Sequence, residues 1–375
     1  MRFFMDLPHE ELTTIFYKQP TLFSKHTSKE HLAYCLGAAL YMPATKPHIA
    51  EDLIIRKFPN LTSVIIDLED AVGDLHVTAA LHNLQQTFEV LATAVEQGAV
   101  GQDDLPLLFI RPRNPEQLAE IADLLGHLQH HLTGYVFPKF CLQNADAYLA
   151  ELEEQRMKGY LLYGMPILET SDILYKEKRH ETLLAIREKL VKHYDAILNV
   201  RVGTTDFSGI YGLRRTQQTS LYDILIVRDC LADIFNVFGR SENQFVISGS
   251  VWEYFDSPAA REYETGNTLT RKLTATTEGL IKEIQLDRLN GVIGKTIIHP
   301  THINIVNALH VVTHEEYLDA MDIMGNQQGR VGVQKSEYAN KMNEMKPHSE
   351  WARKVLIRAE VYGVLHPQRQ FNDLL

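Results

Sequence analysis

Short apolar runs alternate with helical periodicity along most of the chain. Ala38–Pro43 (AALYMP) reads as a first core strand, and Ser63–Glu69 (SVIIDLE) as a second that ends in acids. Pro106–Arg111 (PLLFIR), Tyr135–Lys139 (YVFPK) and Tyr160–Leu168 (YLLYGMPIL) follow as the third, fourth and fifth. The sixth is Ile197–Val202, the seventh Gln244–Gly249 and the eighth Val292–His299. Between them lie helical patterns over Ile49–Phe58, Val77–Gln97, a stretch from Pro115, Asp146–Met157, a charged run reaching His193, Leu221–Phe238, Arg261–Leu289 and Ile303–Val311. Strands that alternate with helices predict a parallel sheet, and eight units is the number that closes one into a barrel. An open doubly wound sheet is the competitor, but no glycine-rich phosphate loop follows the first strand.

The expected fold is therefore α/β, a (β/α)8 barrel over residues 36–312. An extension at 1–35 holds a short amphipathic segment and the polar stretch SKHTSKEH. A helical appendage at 313–375 is interrupted by GNQQGRVGVQKSEYANK. Its last helix, Ser349–Leu365, has Trp351, Val355, Leu356, Ala359 and Tyr362 as apolar positions, a stripe suited to pack on the barrel or on a neighbouring subunit.

Length and composition agree with this picture. The chain has 375 residues, 45% of them hydrophobic and 23% charged, as in an ordinary globular protein large enough for one such barrel with additions. Lys+Arg 37 against Asp+Glu 48 leaves a net charge of −11, which argues against nucleic acid as a partner. No apolar run suits a membrane span, and the amino-terminal segment lacks a secretory pattern. Three cysteines, Cys35, Cys141 and Cys230, lie far apart and read as buried reduced thiols. The cytoplasm is the expected compartment.

Polar residues collect where the strands stop. Asp67, Glu69 and Asp70 end the second, Arg111 and Arg113 the third, Lys139 the fourth and Glu169 the fifth. Asp206 follows the sixth in a turn, Gly203-Thr204-Thr205-Asp206, closed by Ser208 and Gly209, and His299 ends the eighth. In a parallel barrel these ends share one rim. Each residue alone has a plainer role: Asp206 as an Asx-turn, Glu169 as a helix cap, Lys139 as a solvated charge. Together, two separated carboxylates suit a hard divalent cation such as Mg²⁺, and no His/Cys cluster speaks for zinc or copper. A rim arginine adds a donor fork for a carboxylate or phosphate. Such a site would bind an α-oxo acid and stabilise enolate charge.

Tyr41-Met42-Pro43-Ala44, VIIDLEDAV from Val64, Ile110-Arg111, VFPK from Val136, ILET from Ile167, GTTDF from Gly203 and Ile298-His299-Pro300 resemble, in order, motifs of the citrate lyase beta-subunit-like aldolases. HpcH/HpaI aldolases and malyl-CoA lyase relatives belong to the same family. The similarity covers roughly residues 38 to 305. The IRPRNP form and the long helix after Glu169 look like a divergent subgroup of carbon–carbon bond lyases found in bacterial stress-response gene clusters. The resemblance implies a Mg²⁺-dependent lyase or aldolase acting beside a carboxylate, often on a CoA thioester, and commonly trimeric or hexameric. By motif, Glu169 and Asp206 would hold the metal. Arg111 would bind substrate, with Arg113, Lys139, Gly203, Thr204, Thr205 and His299 around it. Asp67, Glu69 and Asp70 would support metal-bound water or move the proton.

The chain departs from that pattern. The arginine usual near the first strand is replaced around Gly37, and the basic residues after DLEDAV are replaced near His76, Ala79 and Ala80. Both losses weigh against CoA. Arg113, Arg201, Arg214 and Arg215 could compensate. Strand alternation points Arg201 and Asn199 into the barrel, where an internal salt bridge is the alternative role for Arg201. Trp252 and Glu253 suit packing at the mouth. A metal-dependent thioester or ester hydrolase and a non-catalytic barrel subunit are the rival functions.

Overall fold

The computed structural model describes residues 1–256, 274–326 and 332–375. Eight parallel strands form one sheet: β2 (Ala38–Pro43), β3 (Ser63–Asp67), β4 (Leu107–Arg111), β5 (Gly134–Phe137), β6 (Tyr163–Leu168), β7 (Val200–Val202), β8 (Ile247–Ser248) and β9 (Lys295–Ile297). Each of β3 to β8 pairs with its neighbours in sequence, and β9 returns beside β2. A Gly249–Lys295 bridge, with Thr296 N–H donating to Gly249 O at 3.0 Å, closes β8 against β9. The expected barrel is the observed one.

Both faces of these strands are buried, which explains why they read as continuous apolar runs. Ile65, Phe109, Val136, Met165 and Ile167 fill the interior, while Val64, Ile66, Leu108 and Ile110 pack against the outer helices. The strands are shorter than their apolar runs because the rim residues turn the chain. Asp67 accepts from its own downstream Glu69 N–H at 3.0 Å and Ala71 N–H at 3.3 Å, which ends β3. Pro138 has no N–H to offer after β5, and Lys139 then takes a left-handed φ of +49°.

The outer helices follow the predicted periodicities, among them Val77–Glu96, Ala145–Met157, Lys176–Lys192 and Leu225–Phe238. Pro115–Leu125 starts with Asn114 accepting from Gln117 N–H at 2.8 Å and proline in the first turn. Of the helix expected over Arg261–Leu289, the structure describes Ala275–Leu289; positions 261–273 lie outside the described residues, as do 327–331 of the polar run near the end.

The two terminal segments close the lower end of the barrel together. β1 (Phe16–Lys18) pairs antiparallel with β10 (Val364–Leu365). Phe3 stacks on Tyr362 with 4.3 Å between ring centroids, and the Tyr362 hydroxyl donates to Tyr34 O at 2.7 Å. The final helix, Ser349–Tyr362, buries Val355, Ala359 and Tyr362, but Trp351 lies off that stripe and is 40% exposed. Cys35 and Cys230 are buried and Cys141 is half-buried, all as free thiols. No helix among the described residues is long and apolar enough to cross a membrane.

A buried ionic network pins β9 to the helix that precedes it. Lys295 Nζ lies 2.9 Å from Glu283 Oε1 and 2.8 Å from Asp287 Oδ2. Arg215 Nη1 meets Glu283 at 2.5 Å, and the Tyr222 hydroxyl donates to Asp287 at 2.8 Å. Arg215 is thus committed to structure, with Trp252 against its guanidinium. Lys295→Met should cost about 3–5 kcal/mol in denaturant unfolding, because it strands two buried carboxylates with one remaining cation.

Candidate metal centre and active site

The rim residues of β3, β4, β5, β6 and β7 meet at one mouth. Asp67 holds Arg111 through two bonds, Nε to Oδ1 at 2.6 Å and Nη2 to Oδ2 at 2.7 Å. This fork fixes the guanidinium plane and directs Nη1 to Glu69 Oε2 at 2.9 Å, with Asp70 Oδ2 at 3.7 Å. Burial opposes the charge on Arg111, but Asp67 outweighs it and holds the guanidinium protonated. Tyr41 of β2 lies under it, with 5.0 Å from Arg111 Cζ to the ring centroid.

Lys139 stands at the centre of the acids. Its Nζ is 2.6 Å from Asp206 Oδ1, 3.4 Å from Glu69 Oε1, 3.6 Å from Asp70 Oδ2 and 3.9 Å from Glu169 Oε1. Its backbone N–H also donates to Glu169 Oε1 at 2.7 Å, an approach its left-handed φ makes available. Glu169 is 3% exposed at its side chain, and burial pushes its carboxyl up to about 8, with Lys139 opposing and Asp206 adding to the shift. Glu69 is also pushed up by burial. Burial acts on Asp70 in the same sense, but its bond with Glu69 and the charge of Lys139 hold it below its usual range.

Gly203 walls the site on the β7 side. A Cβ there would lie 2.6 Å from Glu169 Cβ and 2.9 Å from its Cδ, so only glycine lets this carboxylate sit flat against the strand end. The segment after it is a short helix, Thr204–Ile210, rather than a turn. Ser250 anchors its start by accepting from Thr204 N–H at 3.0 Å and from its hydroxyl at 2.7 Å. Asp206 consequently faces Lys139 instead of capping its own backbone, and Thr205 is exposed.

The other residues singled out from the sequence fall elsewhere. Arg113 turns back on the loop after β3, donating to Leu68 O at 2.9 Å and to Val72 O, with Asp74 at 2.5 Å. His299 stacks on Phe255 at 4.4 Å, and its Nδ1 contacts the Thr301 hydroxyl at 2.8 Å. Arg201 points inward, as strand alternation predicts, but the described residues place no carboxylate against it; Nη2 donates to Thr296 Oγ1 at 2.6 Å. Gly37 has a φ of +53°, and a Cβ there would meet Phe3 at 2.7 Å, so the position where the resemblance led to an expected arginine leaves no room for a side chain. Tyr41 and Ser250 were not anticipated as site residues. A tyrosine at an inward position of an otherwise apolar strand is the one signal for the first.

The donors suit a hard cation. All are carboxylate oxygens, five acids face the two cations Arg111 and Lys139, and the Lys139 ammonium is itself a positive charge drawn into the ring. Among the described residues no three acids, imidazoles or thiols already converge on a single metal position. Lys139 takes the central place, and a metal would require it to swing aside.

A closed parallel barrel carries its chemistry at the carboxyl ends of its strands, and here that rim is acidic and bears an arginine. The family model described as C–C bond lyase of the TIM-barrel fold matches residues 30–364, and the chain belongs to that family. No curated protein matches it in sequence. Among solved structures, the CitE protein of Mycobacterium tuberculosis in complex with magnesium, acetoacetate and coenzyme A shares 17% identity at a TM-score of 0.53, covering 86% of this chain and 97% of that one. The citrate lyase beta subunit of M. tuberculosis with oxaloacetate and magnesium shares 16% at 0.46, over 74% and 97%. A malate synthase of Haloferax volcanii in a lead(II) complex shares 13% at 0.48, over 71% of each chain. The first of these likenesses bears out the barrel.

Proposed function

We propose that this chain is a Mg²⁺-dependent carbon–carbon lyase or aldolase acting on a small oxo- or hydroxy-carboxylate. The observation that carries it is the single ion-pair cluster that Asp67, Glu69, Asp70, Arg111, Lys139, Glu169 and Asp206 build from five strand ends. Membership of a C–C bond lyase family and the magnesium in the CitE structures support the same assignment. Glu169 and Asp206 would hold the cation, which when bound supplies a Lewis acid for the substrate's carbonyl oxygen. Arg111, immobilised by Asp67, presents Nη1 to a substrate carboxylate in place of Glu69. Glu69, half-buried and pushed toward its neutral form, holds or moves a proton beside that nitrogen. Lys139, once displaced from the acids, supplies a second positive charge to the substrate.

The missing basic residue at Gly37 favours a free acid over a CoA thioester. We further place the enzyme in the cytoplasm as a homo-oligomer, a trimer or hexamer by family resemblance, which light scattering tests. The deciding experiment pairs a magnesium titration of EDTA-treated protein with product analysis on oxo-acids and their CoA esters. Two carbon fragments support a lyase, a freed thiol or alcohol identifies a hydrolase, and absence of magnesium binding sinks the proposal.

Proton and cation compete for Glu169, so the sign of the pH dependence follows. Magnesium affinity should rise about tenfold per pH unit on approaching about 8 and level off above it. Calorimetry across that range checks it; affinity that falls with rising pH contradicts the assignment.

A further inference from the structure

Arg201 is buried in the barrel interior at 2% exposure, in register with Ile167 of β6 and Ser248 of β8. Thr296 takes one hydrogen bond from Nη2, but Nε and Nη1 are buried with no hydrogen-bond partner among the described residues. A guanidinium left in that condition is costly, because it has lost water without gaining an acceptor. Asp67 is already engaged by Arg111. Arg201 is also adjacent to the mouth: its Cζ lies 5.9 Å from the Tyr41 ring centroid, and Arg111 lies against the same ring at 5.0 Å. Two arginines thus flank one tyrosine, one of them in the acid cluster and the other with donors unused.

Building on the lyase assignment above, we propose that Arg201 is a specificity-determining residue that receives a second carboxylate of the substrate, so that the enzyme selects a small oxo-dicarboxylate over a monocarboxylate. One end of the diacid would engage Arg111 and the residues proposed to hold the cation. The other would reach past Tyr41 to Arg201, whose donors match carboxylate oxygens. The unpaired guanidinium is then part of the resting receptor, and substrate completes its hydrogen bonds.

The test compares pyruvate with oxaloacetate, which differ by one carboxylate, by calorimetry on the full chain with magnesium and after EDTA treatment. Wild-type protein should bind oxaloacetate roughly tenfold or more tightly than pyruvate, the difference expected of a charged hydrogen bond. Arg201→Met should remove that preference by weakening oxaloacetate alone, with magnesium and pyruvate affinity unchanged, and Arg201→Lys should restore part of it. The methionine variant also removes an uncompensated buried charge, so its melting temperature should not fall. Equal wild-type affinities for the two acids, or a preference that survives Arg201→Met, would overturn the proposal. So would a chloride-dependent melting temperature without any dicarboxylate preference, since the guanidinium would then hold an inorganic anion. Should Arg201→Met fail to fold, the wild-type ratio still decides. Loss of the lyase assignment is a separate outcome: it shows as absent magnesium binding, whereas the oxaloacetate to pyruvate ratio is also read in EDTA.

Discussion

Glu169→Gln is expected to weaken magnesium binding by roughly a hundredfold or more and to take carbon–carbon cleavage with it. Disturbing a mere outer partner of a metal ligand costs about 10–100-fold, so loss of a direct carboxylate should reach at least the upper end. The fold should survive. Gln has nearly the same shape, its amide oxygen can still accept the Lys139 N–H, and a neutral group suits a position where burial already favours the protonated acid. The melting temperature should therefore hold or rise while calorimetry loses the magnesium signal. A variant with wild-type magnesium affinity would remove Glu169 from the centre.

The sequence pattern carried the barrel because each strand is buried on both faces, and it carried the mouth because charged residues stop such strands. Asp67, Arg111, Glu169 and Asp206 were all legible on that logic, and the structure brings them into one cluster. What alternation could not convey is direction beyond the strand. Arg113 is two residues past Arg111 and looked equivalent, yet the loop carbonyls of Leu68 and Val72 draw it away. Lys139 was legible as a rim residue too, but nothing in the pattern showed that a left-handed backbone after Pro138 turns it into the middle of four acids. The inward aim of Arg201 followed from alternation, but the lack of a carboxylate against it among the described residues depends on what every other strand places beside it. The pairing of β1 with β10 joins segments some 350 residues apart, and no local signal marks it.

Gly203→Ala makes the sharper test of the site, because it leaves every charge in place. The added methyl would collide with Glu169 Oε2 and come within 2.6 Å of its Cβ. The carboxylate end can swing, but the Cβ is fixed to β6, where Gly203 N–H donates to Leu168 O at 3.1 Å and holds the two strand ends together. Relief therefore requires either parting β6 from β7 or rotating Glu169 away from the Lys139 N–H. Overpacking of this kind costs about 1–3 kcal/mol of stability. The larger expected effect is functional: with Glu169 turned aside, magnesium affinity should fall by roughly tenfold to a hundredfold, toward that of Glu169→Gln. Gly203→Ala combined with Glu169→Gln should then bind no worse than Glu169→Gln alone, since both changes act through the same carboxylate. Additive losses in that double variant would mean that the glycine serves the mouth by some other route, and that the close fit between β7 and Glu169 is not what sets the metal site.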